Sequence, residues 1–115
     1  MATTAEASGT QTATVGTEHF IRDVAQAGVF TLHVDTNAML DGDVLELRVY
    51  QMVLTAGTSR VAQFVAYYGA QPAHDLIKFS VPLGNELTDA TSLRYSLKQT
   101  FGTGRAFPWK VLRYA

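Results

Sequence analysis

The stretch "VFTLHVDT" (residues 29–36) alternates between apolar and polar side chains, and this alternation decides the fold class. In an extended chain, Phe30, Leu32 and Val34 fall on one side of the backbone. The polar side holds Thr31, His33 and Asp35. A period of two residues is typical of a β-strand with one buried face, so the stretch predicts such a strand.

The same period continues along most of the chain after residue 17. The further strand candidates are residues 44–54, 60–68, 76–82, 92–100 and 107–114. In the third of these, the apolar side chains Ile77, Phe79 and Val81 share one face. Helical periodicity is confined to two short candidates, "FIRDVAQ" (residues 20–26) and "NELTDATS" (residues 85–92). Short strands separated by glycine-marked turns predict an antiparallel β-sandwich, jelly-roll-like or Ig-like, with roughly seven or eight strands.

The first 17 residues differ in composition from the rest of the chain. They are rich in Thr, Ala, Gly and Ser and contain no aromatic residue, so they have little apolar surface with which to offset their ordering entropy. We expect either a disordered tail or an extended N-terminal arm that becomes ordered on a neighbouring subunit, followed by a single domain at residues 18–115. The residues of the arm expected to contact a partner are Thr10, Thr12, Thr14 and Val15.

Composition limits the possible functions. The 115 residues carry a net charge of −1, which does not favour the many phosphate contacts of a nucleic-acid-binding protein. The absence of cysteine excludes disulfides and thiolate–metal sites. No run of about 18 apolar residues predicts a membrane-spanning helix. The first basic residue is Arg22, so we expect no signal or transit peptide.

The stretch "FGTGRAF" (residues 101–107) invites comparison with phosphate-binding loops. A P-loop requires G-x-x-x-x-G-K-[ST] and a dinucleotide fingerprint requires G-x-G-x-x-G, and either one leads into a helix. Here Phe107 occupies the place of the third glycine, and Pro108 and Trp109 begin a strand. We therefore interpret the stretch as the loop of a hairpin, predict no nucleotide cofactor, and place Arg105 at an exposed tip where it can contact a carboxylate of a partner.

Metal and catalytic candidates are few. Asp35, Asn37, Asp41 and Asp43 are close in sequence, but Met39 stands at a calcium-ligand position and no distal Glu follows, so a solvated turn is the favoured interpretation. The histidines are His19, His33 and His74, and they share no metal-ligand spacing. A Ser/His/Asp site assembled across the fold remains open, but no motif indicates one. We predict a protein that is not an enzyme and that has no metal or other cofactor.

Two strand candidates are apolar on both faces, although a sandwich strand ordinarily has one wet face. The alternatives are local cover, by a loop or by residues 20–26, and a subunit interface, where Tyr, Met and Arg are enriched. The second alternative predicts a homo-oligomer. Its interface candidates are Tyr50, Met52, Leu54, Tyr67 and Tyr68.

Two segments resemble a family of small virion proteins of tailed bacteriophages. The first, residues 29–62, contains "VDTNAM" and "GDVLELRVY"; the second, residues 95–113, contains "LKQTFGTGRAFPW". The likeness extends over residues 28–113 and leaves out the N-terminal segment.

The family resembles capsid decoration (cement) proteins, and this resemblance implies a function. Such a protein binds the major capsid protein on the outer capsid surface, often as a trimer, and stabilises the shell against the pressure of the packaged DNA. The expected location is the virion surface, after synthesis in the cytoplasm of the host bacterium, with neither nucleic acid nor membrane as a partner. The alternatives are a head–tail or tail component and a module that binds host-surface carbohydrate.

Overall fold

The computed structural model describes residues 2–114 and contains nine β-strands and no helix within that range. The strands are β1 (Thr3–Thr12), β2 (Glu18–Val24), β3 (Gly28–Asp35), β4 (Val44–Gln51), β5 (Arg60–Tyr68), β6 (Ile77–Phe79), β7 (Leu83–Asn85), β8 (Leu93–Phe101) and β9 (Ala106–Tyr114). They form two antiparallel sheets packed face to face, which confirms the predicted all-β sandwich. No helix that could span a membrane is found among these residues.

The strand orders of the two sheets are counted from the same side of the sandwich. The five-stranded sheet has the order β1-β9-β3-β6, and β7 also pairs with β3. The four-stranded sheet has the order β2-β8-β4-β5. Their inner faces carry the apolar half of each alternating pattern, as expected for β3, β4 and β8. The core includes Val24, Phe30, Leu32, Val34, Leu45, Leu47, Val49, Leu93, Tyr95, Leu97, Phe107 and Val111.

Three local expectations were wrong. Residues 20–26 are mostly part of β2, which pairs with β8, and residues 85–92 form no helix. The strand expected over residues 44–54 ends at Gln51, and the loop that follows exposes Val53 and Leu54. For residues 20–26, pairing with β8 prevails over the short apolar spacing that favoured a helix.

The N-terminal segment is also different from the expected arm. Thr3–Thr12 forms β1, an edge strand that pairs with β9 of the same chain throughout its length. Small side chains permit this close pairing: a Cβ added to Gly9 would lie only 3.3 Å from the Trp109 ring. Backbone hydrogen bonds hold a strand in a sheet without any aromatic anchor, which is why composition alone failed to indicate it.

The four residues expected to contact a partner are therefore held, at least in part, by their own chain. Thr10 pairs with Pro108 and Thr12 with Ala106 in the β1–β9 ladder. The Thr14 amide donates to His19 Nε2 at 3.1 Å. Val15 lies in the next turn with an exposed side chain.

Charged residues close the two open sides of the sandwich. On one side, the guanidinium of Arg22 in β2 binds the buried carboxylate of Glu6 in β1, with 2.8 Å between Nε and Oε2. On the other side, the ammonium of Lys78 in β6 lies 4.9 Å from the ring centre of Tyr67 in β5 and 3.0 Å from Asp75. Each contact joins the edge strands of the two sheets.

We predict that deletion of residues 2–12 destabilises the protein. The deletion removes the partner strand of β9 and the carboxylate that pairs with Arg22, so the free energy of unfolding should fall by roughly 2–4 kcal/mol. Urea unfolding measures the change. Glu6→Gln, which removes only the ion pair, should have a smaller effect, and an unchanged midpoint in the deletion variant would contradict the structural role of β1.

Candidate interaction surfaces

The glycine-containing loop connects the two sheets. β8 belongs to the four-stranded sheet and β9 to the five-stranded sheet, so residues 102–105 cross from one layer to the other. The expectation of a hairpin was therefore wrong. Both strands were correctly placed in sequence, but the alternating pattern does not identify the neighbour of a strand.

A buried carboxylate organises this crossing. Asp43 is 1% exposed and accepts hydrogen bonds from the Leu40 amide at 2.9 Å, the Thr103 amide at 3.2 Å and Arg105 Nε at 2.8 Å. We call these four residues the Asp43 cluster. Burial opposes ionisation of Asp43, but the hydrogen bonds from Arg105, Leu40 and Thr103 outweigh it and hold the pKa of the carboxyl below its usual value.

The Asp43 cluster corrects two expectations from the sequence. Asp41 is exposed, as a solvated turn requires, but Asp43 points into the protein. Arg105 is not at a free tip, because its guanidinium is committed to Asp43. The carboxylate that Arg105 contacts belongs to its own chain.

Nearby atoms explain why both outer positions of "GTG" hold glycine, since each leaves no room for a Cβ. Gly102 has φ +92°, and a Cβ there would lie 1.9 Å from Asp43 Oδ1. A Cβ on Gly104 would lie 2.3 Å from the carbonyl oxygen of Ala13. The motif is therefore accounted for by backbone packing around the Asp43 cluster, as the interpretation of a structural loop requires.

We predict that Gly102→Ala destabilises the fold more than Gly42→Ala does. Both glycines have positive φ, but nothing lies within 4 Å of a Cβ added to Gly42. Gly42→Ala should cost about 1 kcal/mol of backbone strain, whereas Gly102→Ala should cost about 2–4 kcal/mol because it also displaces a buried carboxylate. Thermal unfolding of both variants checks the difference. Equal losses of stability would contradict a clash between the Cβ at position 102 and Asp43.

We also predict that Arg105→Ala lowers the free energy of unfolding by about 1–3 kcal/mol, since it leaves a buried carboxylate short of a donor. The stabilisation should be complete above about pH 4, near the unfolded pKa of Asp. It should disappear as the pH falls through the depressed folded pKa of Asp43, so the two proteins should converge in acid. Arg60→Ala, at an exposed position, should change stability by less than about 0.5 kcal/mol at any pH. A constant difference down to acid pH would exclude this linkage.

The other candidates from the sequence do not assemble into a chemical site. Asp35 Oδ1 accepts from the Asn37 amide at 2.9 Å, which is a local turn contact. His19 and His33 bond to different segments, and His74 lies in an exposed loop. Within residues 2–114 no three metal-ligating side chains come together.

The five predicted interface residues lie in different environments. Met52 is buried, and Tyr67 lies on the inner side of β5 under Lys78. Tyr50 lies on the outer face of the four-stranded sheet, while Leu54 and Tyr68 are strongly exposed. No single surface therefore contains all five residues. For Tyr50, Leu54 and Tyr68, which reach the outside, the subunit interface stays a prediction.

The outer face of the four-stranded sheet carries an ordered polar and aromatic group. Glu18 accepts hydrogen bonds from the Tyr50 and Ser96 hydroxyls, both at 2.6 Å. Burial opposes ionisation of Glu18, yet these bonds lower its carboxyl pKa, while burial and Glu18 raise the pKa of Tyr50. Phe20 packs between Tyr50, with ring centres 5.5 Å apart, and the Arg94 guanidinium at 3.9 Å. The polar and aromatic groups of this face therefore find partners within the chain.

The outer face of β6 and the residues that follow it are apolar. Ile77, Phe79 and Val81 point away from the core, and Phe79 is 66% exposed. Lys78 and Ser80 between them point inward and are buried. The sequence correctly predicted that the three apolar side chains share a face, but that face is turned to solvent. We call these three residues the β6 apolar face.

A groove runs beside the β6 apolar face. The His33 ring stacks on Phe79 with 5.8 Å between ring centres. Burial, together with the charge of Lys110, lowers the pKa of His33. The adjoining depression has a volume of about 320 Å³. Its lining combines apolar Ile77, Pro108 and Trp109 with polar Ser8, Asp35 and Lys110.

Sequence reasoning missed this surface for a definable reason. Alternation shows which side chains share a face, but it does not show which of the two faces is turned to the core. The signal that was available is that β6 places a lysine between apolar residues and ends close to Pro82, which is unusual for a strand that buries its apolar side.

Comparison with protein-family models, curated proteins and solved structures finds no match to this chain.

Proposed function

We propose that the protein is a virion structural protein of a tailed bacteriophage that binds the outer surface of the assembled capsid and stabilises the shell. The observation that carries this proposal is the orientation of β6. Its apolar side faces solvent, while Lys78 occupies the inward position. An apolar sheet face that folding leaves uncovered is typical of a surface that binds another protein.

The chemistry of this surface fits a protein partner. Phe79 and Ile77 offer exposed apolar area beside a shallow groove, and Asp35, Lys110 and Ser8 supply polar contacts along it. Interfaces commonly combine an apolar centre with a polar rim. We assign the major capsid protein as the partner and the β6 apolar face as the centre of the contact.

The resemblance to phage virion proteins supports the proposal in a limited way. Its motif residues include Asp43, Gly102, Gly104 and Arg105, which build the crossing between the sheets. These residues stabilise the fold of this chain, whereas Phe79 and Val81 lie between the two motif segments. The resemblance therefore supports the class of protein, and the exposed face supplies the site.

A carbohydrate-binding function is the second candidate. An exposed aromatic ring beside hydrogen-bonding side chains can stack on a sugar, and Phe79 lies close to His33 and the groove that includes Asp35. A head–tail or tail component would use the same protein-binding surface at far lower copy number. The functional test below distinguishes these possibilities.

We predict that Phe79→Asp weakens binding to capsids without unfolding the protein. Particles produced without the protein are incubated with purified wild type or variant, and occupancy is measured after sedimentation. Loss of a central apolar contact should reduce the binding free energy by about 2 kcal/mol or more. Val53→Asp is the control, because Val53 is also apolar, is still more exposed and lies in the loop after β4.

Wild-type protein should bind in many copies per particle and raise the temperature of DNA release, and Val53→Asp should do the same. Equal binding by Phe79→Asp would contradict the assigned face. If the wild type binds no particles but binds glycans in a manner sensitive to Phe79→Asp, the carbohydrate function replaces the capsid function. Occupancy of a dozen copies or fewer would indicate a connector or tail component.

A further inference from the structure

The outer edge of β5 is the least protected strand edge in the fold. β5 pairs with β4 on one side, and within residues 2–114 no strand pairs with its other side. An unpaired edge offers a row of backbone donors and acceptors to any additional strand, and soluble proteins ordinarily shield such edges with charges, bulges or short strands.

The other long or exposed edges are shielded in those ways. β6 has only three residues. β1 has a bulge between Ala5 and Ala7, where the charged Glu6 turns inward. β2 has a bulge between Phe20 and Arg22 and carries charges on both sides of it. Each of these three edges therefore has at least one feature that discourages strand addition.

β5 lacks comparable protection over most of its length. Its bulge is at Ala62, close to its start, and its only charged residue is Arg60. From Gln63 to Tyr68 the pairing with β4 is regular, and all six side chains are uncharged. This part of the edge, six of the nine residues of β5, is open to an additional strand.

The inner face of the same segment is fixed by the opposite sheet. Gln63 Oε1 accepts from the Val81 amide at 3.0 Å, and Tyr67 lies under the Lys78 ammonium. On the outer face, Phe64 is 49% exposed and Tyr68 is 73% exposed. The strand is therefore held from inside, while its outer aromatic rings stay partly exposed, although the Arg48 guanidinium lies over the Phe64 ring at 4.7 Å.

We propose that β5 pairs antiparallel with β5 of a second copy of this chain, across a two-fold axis at Ala66. The pairing joins two four-stranded sheets into one continuous eight-stranded sheet. It does not depend on the capsid-binding function, because the observations behind it concern only the edge of β5.

The self-complementarity of the segment favours a second copy as the occupant. In an antiparallel pair, residues directly opposite each other point to the same face of the sheet. The two-fold axis must therefore place one residue opposite the same residue of the second copy, and it cannot fall between two residues. With Ala66 on the axis, Phe64 faces Tyr68 of the second copy, twice, and the small Ala66 faces its own counterpart. Cross-strand aromatic pairs stabilise antiparallel sheets. The absence of charge from residues 63–68 also means that two copies do not repel each other there.

The alternative register, with Val65 on the axis, fits less well. It would place Phe64 opposite Ala66 of the second copy and would leave Tyr68 beyond the paired segment. The trimer implied by the family resemblance has three-fold symmetry, and a two-fold pairing of β5 gives a dimer instead. The two assemblies differ in mass and are separated by sedimentation.

The test uses the full chain in sedimentation velocity over a micromolar concentration series. The wild type should form a dimer. Ala66→Lys places two like charges opposite each other on the axis and should raise the dimer dissociation constant by about a hundredfold or more. Ala62→Lys makes the same chemical change in the bulge of the same strand, outside the paired segment, and should leave the dimer intact.

A charge-swap experiment tests the register directly and shows that the variants fold. Ala66→Lys and Ala66→Glu should each be monomeric, whereas an equimolar mixture of the two should form a dimer, because the opposite charges then face each other. Within residues 64–68, the amide protons that point away from β4, on alternate residues, should exchange more slowly in the wild-type dimer than in either monomeric variant.

Three results would overturn the proposal. They are a wild type that stays monomeric throughout the series, an oligomer that is insensitive to Ala66→Lys, and a mixture of the two charged variants that stays monomeric. If Ala62→Lys dissociates the dimer as strongly as Ala66→Lys does, the assigned register is wrong.

Discussion

The fold depends on one buried carboxylate at the point where the chain changes sheets. Asp43 precedes β4, and its side chain binds the Thr103 amide and Arg105 in the crossing from β8 to β9. Its carbonyl oxygen accepts the amide of Gly69, just after β5. Strand ends from both sheets therefore meet at one residue. An ionised group can remain buried there because Leu40, Thr103 and Arg105 all donate hydrogen bonds to it.

The sequence predicted the parts of the fold that depend on local periodicity. The strand at residues 29–36 was found because Phe30, Leu32 and Val34 alternate with polar residues, and all three are buried. Pairing was not predictable in the same way. The Thr- and Ala-rich β1 has no apolar period, and its place beside β9 is set by backbone hydrogen bonds between residues far apart in sequence. Such bonds leave little trace in side-chain composition.

The candidate surfaces were predicted less well, for two physical reasons. Periodicity identified the shared face of Ile77, Phe79 and Val81 but not its direction, which Lys78 decides by reaching Asp75 and Tyr67 from the inner side. Arg105 was expected to be free because a glycine-rich loop is ordinarily exposed. The partner that holds it, Asp43, is distant in sequence and is recognisable only once the sheets are stacked.

The position of β9 has a consequence for how the chain folds. β9 lies between β1 and β3, so these two strands have no direct contact through the sheet until the final segment of the chain joins them. The four-stranded sheet needs only residues up to β8 and is complete earlier during synthesis. Until β9 arrives, the edge of β3 that pairs with it remains open. Folding that waits on such non-local pairing is slow. The five-stranded sheet therefore forms only after residues 106–114 have been synthesised, and β1 and β3 stay unjoined until then.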